Sequence, residues 1–295
     1  MEETREIAAL MNLIDDPDGE VFDSVSHRIV SYGKNIIPNL EQLWENTPDE
    51  NIQEKIELLI HRLHFQDLYG DFRSFRQSSE IDLMEGLLLV ARYQYPDLAV
   101  MPIQQEFEKI RRNMWLELNS YLTALEQINV INRIFYTYHK FKGTEIAYRQ
   151  PEEFLVNKLL ETKRGNVILN GIIYQHLCCL LDIPVKAINI PRQFLLAYFD
   201  TSYEYFKPQK DESNIHFFID PMNGHIYTHK DVETYLKRMG APATPVYYKP
   251  LENKNIIRFL LQEYARCFDE DPEGYKQEEL QSLASLLSSA DHANL

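Results

Sequence analysis

Apolar side chains recur every three to four residues through the first 65 positions, a spacing that lays one stripe along a helix. In "GEVFDSVSHRIVSYG" the stripe is Val21, Phe22, Val25, Ile29 and Val30, and in "NIQEKIELLIHRL" it is Ile52, Ile56, Leu59 and Leu63. "DDPDGE" and "ENTPDEN" supply turn and capping residues around them, so short helices are expected here. Helical spacing continues over 78–138 in "SEIDLMEGLLLVARYQ", "IQQEFEKIRRNMWLEL" and "YLTALEQINVINRIFYTYH", punctuated by Pro96 and Pro102. "FKGTEIAYRQPEEF" is a turn-rich loop, and a short helix begins at Phe154.

The pattern changes after "KRG". "NVILNGIIYQHLCCLLDIP" is a long apolar helix with Asn166 as its N-cap and Asp182-Ile183-Pro184 as its stop. Three runs rich in Val, Ile, Phe and Tyr follow, "VKAINI", "QFLLAYF" and "IHFFID", and each is predicted to be a strand. "THKDVETYLKRMG" gives one more helix, closed by Gly240. "NKNIIRFLLQEYARCF" and "EGYKQEELQSLASLLSS" form a final helical pair. Helices, then a helix leading into antiparallel strands, then helices again is an α+β order, not alternating β-α-β.

Composition narrows the function. The 295 residues are 44% hydrophobic and 25% charged, ordinary values for a folded chain with a core. The net charge of −15 leaves no basic surplus for phosphates, so neither nucleic acid nor an anionic membrane surface is an expected partner. Three cysteines, Cys178, Cys179 and Cys267, do not make a disulfide framework and fit a reducing compartment. The acidic start "MEETREIAAL" is unlike a signal peptide, and no apolar run reaches membrane-spanning length. A cytoplasmic protein is expected.

A helix start followed by strands is a layout that can carry acyl-transfer chemistry. The helix dipole and its free N–H groups favour a thiolate. A histidine on a neighbouring strand takes the proton, and an aspartate on the next strand orients that histidine. "KRGN", the helix ending at "IP", the corner "PRQF" and "FFIDPMNG" together resemble the bacterial transglutaminase-like core family labelled "regulator of sirC expression", whose members carry helical-repeat appendages. The resemblance covers about 78–240 and extends more loosely to the C-terminal helices.

What the resemblance implies is a transglutaminase-like, or papain-like, core over 76–250. It also implies a HEAT-like helical segment over 1–75 and a short helical pair over 251–295 that is a remnant of a tetratricopeptide-like unit. Position by position, family members carry Pro or Cys, then Ile, then Ser after Arg-Gly-Asn; here Val167, Ile168 and Leu169 stand there. The family corner reads Pro-x-His-Phe, and here the histidine position is Gln193. Asp220 retains the third position. Val167, Leu169, Gln193 and Asp220 are thus expected to be vestigial triad positions. A glutamine amide does not titrate near neutrality and cannot act as a general base.

These readings predict no catalytic residue, cofactor or metal. They predict a non-catalytic module that binds a protein or peptide, with Asn166, Asn170, Arg192 and Asn223 as candidate groove lining. The alternative is a hydrolase or acyltransferase of the same superfamily with a relocated site, for which Cys178 and Cys179 are the available thiols. Both are expected in the core, because they lie in an apolar stretch about three turns into the helix. Cys267 is expected to pack in the C-terminal helix. His216, His225 and His229 fall near Asp220, but "HIYTH" reads as turn and strand, not as a helical zinc spacing. The acidic "FDEDPEG" and "KQEEL" are expected to be solvated helix ends.

Overall fold

A computed structural model describes residues 9–11, 13–14, 19–199, 214–242, 244–270 and 274–288. The N-terminal 1–8, the turn expected at 15–18 and the middle of the acidic turn at 271–273 lie outside the described residues. The chain divides into two compact units, one of residues 1–74 and 92–96, the other of 75–91 and 97–295. The C-terminal helices, expected as a separate piece, fall in the second unit with the core residues.

The first unit is helical. Helix α1 (Gly19–Ser31) leads through a 3-10 turn (Gly33–Ile36) into α2 (Ile37–Asn46), and α3 (Glu50–Gln77) begins after "TPD". Val25, Ile29, Ile36, Leu40, Ile56, Leu59 and Leu63 make its core, with Val21, Phe22, Val30 and Ile52 at the margin. The predicted stripes therefore face inward as expected. Length is where the reading fell short: α3 runs for 28 residues instead of stopping near position 63. Leu68, Phe72 and Phe75 continue its buried stripe past that point, and no proline intervenes to stop it.

In the second unit, α4 (Leu83–Gln94, of which 83–91 belong here), α5 (Val100–Glu117) and α6 (Ala124–Asn132) match the three expected helical stretches. Helix α6 starts in a capping box between Thr123 and Glu126. It then widens into a π-helical turn, Arg133–Tyr138, that periodicity did not foretell. Two further short strands were missed, β1 (Lys142–Thr144) and β2 (Arg164–Asn166), which pair in parallel. Between them lie a 3-10 turn (Pro151–Phe154) and helix α7 (Val156–Thr162).

Helix α8 (Val167–Cys179) is the centre of this unit, and every residue from Ile168 to Cys178 is buried. A helix apolar on all sides must be surrounded, and it packs on β3 (Val185–Ile190) and β4 (Gln193–Phe199) and touches α10 (Asn253–Ala265). Strand β5 (Ile215–Ile219) and the short β6 (Ile226–Tyr227) complete an antiparallel sheet in the order β3-β4-β5-β6. The other sheet face, with Ile188, Ile190, Leu195, Ala197 and Phe218, is covered by Val232 and Leu236 of α9 (His229–Arg238). Helix α10 pairs with α11 (Tyr275–Leu286). This is the expected α+β architecture, and the three predicted strands form at the predicted places. Among the described residues no helix is long and apolar enough to cross a membrane.

Buried polar side chains tie the layers together. Gln175 Oε1 accepts the Ala187 N–H at 2.6 Å, and its amide donates to Asn253 Oδ1 at 3.2 Å. Asn253 in turn donates to the Ile81 carbonyl at 2.7 Å. One glutamine on α8 therefore links β3, α10 and the start of α4, which satisfies groups that would otherwise be costly to bury.

Glycines show where the packing is tight. A Cβ on Gly143 would lie 2.3 Å from Met222 Cα and 3.0 Å from its C and O, with backbone on both sides. Gly70, inside α3, has open space around it. Gly143→Ala should therefore lower the melting temperature, by an amount equivalent to about 1–3 kcal/mol for overpacking. Gly70→Ala should raise it by about 0.5–1 kcal/mol through helix propensity. Differential scanning fluorimetry of both variants checks the pair.

Candidate functional site

At the start of α8 lies a cleft of about 750 Å³, within the ordinary range of ligand sites. Val167 and Ile168 come from the helix, Gln193 and Phe194 from the start of β4, and Asp220 and Met222 from the turn after β5. Three of the four proposed triad positions, Val167, Gln193 and Asp220, therefore line one cleft. Leu169 does not: it is fully buried and its Cδ2 lies beside Gly165. One residue along a helix turns the side chain by about 100°, which takes position 169 off the exposed end and into the core.

The helix start is built by Asn166, whose Oδ1 accepts from the Ile168 N–H at 3.0 Å and the Leu169 N–H at 2.9 Å. The residue is thus the N-cap that its sequence position predicts. That role is also why it does not line the cleft: it is fully buried beneath the helix end. Asn170 is likewise fully buried and donates to the Pro221 carbonyl at 3.4 Å. Asn223 stays in the turn, where its Oδ1 accepts from the His225 N–H at 2.8 Å. Of the four candidate lining residues, only Arg192 borders the cleft. Asn166 and Asn223 bond backbone N–H groups two or three residues on, a general habit of Asn, and Asn170 a backbone carbonyl of the turn after β5.

Asp220 is engaged on both oxygens. Oδ1 accepts from the Met222 N–H at 2.8 Å, and Oδ2 from the Tyr227 hydroxyl at 3.2 Å. Its own N–H donates to the His225 carbonyl, and its carbonyl accepts from the Gly224 N–H, each at 2.8 Å. The turn it opens is held from outside as well. Tyr136 Oη donates to the Pro221 carbonyl at 3.0 Å, the Gly143 N–H to the Met222 carbonyl at 3.0 Å, and Asn132 Nδ2 to the Gly224 carbonyl at 2.8 Å. Tyr174 on α8 donates to Asn132 Oδ1 at 2.9 Å, which fixes that amide. Burial first, and the Asp220 charge second, raise the Tyr136 and Tyr227 hydroxyls above the usual phenol range, so both stay protonated donors.

Strands β3 and β4 meet in a two-residue turn, Pro191–Arg192, with Ile190 opposite Gln193. Proline cannot take the positive φ of the usual hairpin turns, so the left-handed conformation falls on Arg192, at φ +61°. The Pro191 carbonyl accepts from Tyr235 Oη at 2.9 Å. The register places Gln193 with Ile190 on the sheet face that α9 covers, and Phe194 on the α8 face.

The far wall comes from segments the sequence reading did not assign. Tyr148 Oη donates to Glu263 Oε2 at 2.7 Å, Arg266 pairs with the same carboxylate at 3.2 Å, and the Arg266 guanidinium sits 4.3 Å from the Tyr148 ring centroid. Burial, then Glu263, push the Tyr148 hydroxyl up to about 12. Phe259 stacks on Phe194 with centroids 6.0 Å apart. Glu145 and Asn189 are also at the border. These residues lie far apart along the chain, and only the i,i+3 spacing of Glu263 and Arg266 hints at a pair.

Among the described residues, no thiol or imidazole lines the cleft. Cys178 is buried, and desolvation lifts its thiol well above the ordinary range. Cys179, also expected in the core, is exposed, because the helix ends there and the chain turns outward. Burial and Asp269 push the Cys267 thiol up to about 12. The three histidines have separate neighbours. His229 Nε2 lies 2.7 Å from the Ile215 carbonyl, His216 meets the Tyr198 ring, and His225 the Tyr227 ring. Among the described residues no three His, Cys, Asp or Glu side chains converge.

A family model described as the transglutaminase-like superfamily matches residues 102–262. The chain belongs to the transglutaminase-like superfamily. Protein SirB1 of Salmonella typhimurium is 22% identical over 182 residues, covering 61% of this chain and 64% of that protein. A UPF0162 protein of Buchnera aphidicola from Acyrthosiphon pisum is 23% identical over 190 residues, 62% and 65% of the two chains. One from Vibrio cholerae is 21% identical over 180 residues, 60% and 63%. The chain thus spans just under two thirds of the length of these curated relatives, all bacterial. No solved structure matches it. The superfamily match covers the cleft residues from Glu145 to Phe259, and Glu263 and Arg266 lie just beyond it.

Two measurements check this geometry. With a thiol-reactive dye under native conditions, Cys179 should react readily while Cys178 and Cys267 wait for unfolding; in a Cys179→Ser background, Val167→Cys should react and Leu169→Cys should not. Separately, Arg192→Gly should raise the melting temperature by the equivalent of about 1 kcal/mol or less. It removes the left-handed strain, while glycine's extra unfolded-chain freedom offsets part of the gain.

Proposed function

We propose that this protein is a non-catalytic member of its superfamily, in which the cleft at the start of α8 serves as a binding site for a protein or peptide and gives the chain a regulatory role. One observation carries the reading: Val167, Gln193 and Asp220 border the same cleft, and among the described residues its lining holds no thiol, serine or threonine hydroxyl, or imidazole. Acyl transfer needs a nucleophile and a base within hydrogen-bond reach. Asp220 supports a structural role here, since each carboxylate oxygen already serves a neighbour.

The relocated-site alternative has one exposed thiol, Cys179, with Cys267 half-buried and Cys178 buried. Cys179 stands twelve residues along α8 from Val167, about 18 Å at 1.5 Å per residue, so it would work at the opposite helix end. The purified protein, offered p-nitrophenyl acetate and a blocked glutaminyl peptide with a primary amine, should give no turnover above buffer. Turnover abolished by Gln193→Ala would overturn the proposal, and turnover abolished by Cys179→Ser would establish the relocated site instead.

A further inference from the structure

Strand β3 is the edge of its sheet, and the fate of its outward backbone groups can be followed residue by residue. Backbone N–H and C=O groups of an antiparallel strand point alternately into the ladder and out of it. Ala187 fixes the phase. Its N–H donates to Gln175 Oε1 at 2.6 Å and its carbonyl accepts from the Leu251 N–H at 2.8 Å, so both of its groups point outward. Two residues on, with unbroken register to Ile190, the Asn189 N–H and C=O also point outward. Neither has a partner outside the ladder among the described residues, and the Asn189 side chain has none either. The segment that pairs at Leu251 comes from the 3-10 turn Pro245–Tyr248, which packs on β3 but makes no backbone bond to Asn189, and Asn189 and Tyr247 both border the cleft.

The charges along the cleft point the same way. Arg266 is matched by Glu263, and Asp220 by its two donors. Arg192, exposed in the hairpin turn next to Gln193, has no acidic partner among the described residues, and Glu145 on the facing loop has no basic one. An open donor–acceptor pair on a sheet edge, beside one unmatched cation and one unmatched anion, fits an extended peptide better than a compact ligand.

The geometry points to an added strand: we infer that the cleft takes an extended peptide segment that hydrogen-bonds to Asn189 on the edge of β3, setting an acidic side chain against Arg192 and a basic one toward Glu145. This rests on the binding reading above and names the partner's chemistry. The Asn189 carbonyl accepts a peptide N–H and the Asn189 N–H donates to a peptide carbonyl, both from one residue of the guest strand. The next guest residue turns its backbone groups away.

The test uses the full chain and a degenerate library of acetyl-capped heptapeptides, followed by single N-methylation along the selected sequence. Selection should enrich an acidic residue at one position. Arg192→Gly, which favours the turn's own conformation, should weaken the selected peptide at least tenfold and erase that enrichment. Glu145→Gln should erase a basic preference elsewhere in the peptide. N-methylation at the amide paired with Asn189 should cost at least tenfold, while the next amide tolerates it. Equal sensitivity at every amide, or none, overturns the added strand. So does the absence of any selected peptide, which leaves the non-catalytic reading to its turnover assay. Cleavage of a selected peptide overturns the non-catalytic reading but not the strand pairing.

Discussion

The second unit depends on satisfying the backbone of one five-residue turn, Asp220 to Gly224. Its carbonyls at Pro221, Met222 and Gly224 are bonded from the π-helical turn, from β1 and from α6, and its first residue is bonded to β6. A buried or half-buried carbonyl left without a donor costs about 1–3 kcal/mol, so each of these partners is constrained in turn. The constraint reaches the side chains as well. Gly143 and Gly224 must lack a Cβ because Met222 and Asn132 stand where it would be, and a Cβ on Gly171 would press on Phe194 and Pro221. The turn is thus a joint between a helix, a strand pair and the main sheet.

Helix α8 carries the other half of the arrangement. Its sides are closed off by strands and helices, so only its first residues meet the cleft, and of these Val167 and Ile168 are hydrocarbon. The features that would favour an anion at a helix start are partly used internally, since Asn166 takes two of the free N–H groups.

Much of this was legible in the chain. Period-3.6 stripes located the helices, β-branched and aromatic runs located β3, β4 and β5, and an asparagine before an apolar run located the cap at residue 166. Those signals are local, and the interactions behind them are local too. Some of the misses have the opposite cause. Strands β1 and β2 are three residues each and exist because they pair with each other across the nineteen residues between them. The far cleft wall joins residues near 148 with residues near 263. Asn170 and Asn223 looked like lining because polar residues near a motif suggest a site, yet Asn223 caps its own turn and Asn170 reaches the Pro221 carbonyl of a distant segment. Cys179 looked buried because its neighbours are apolar, whereas exposure there follows from where the helix stops.

The π-helical turn has a consequence in terms of chain length. Its bonds run from residue 139 back to 134, one residue wider than an α-helical bond. Tyr136 lies inside this wide turn, and its hydroxyl donates to the Pro221 carbonyl from there. Removing a single residue between 133 and 138 would shift each later residue of the turn back by one position, about 100° about the helix axis. Substitutions in this stretch can be absorbed one contact at a time; a deletion cannot, because it changes which residue occupies every later position at once.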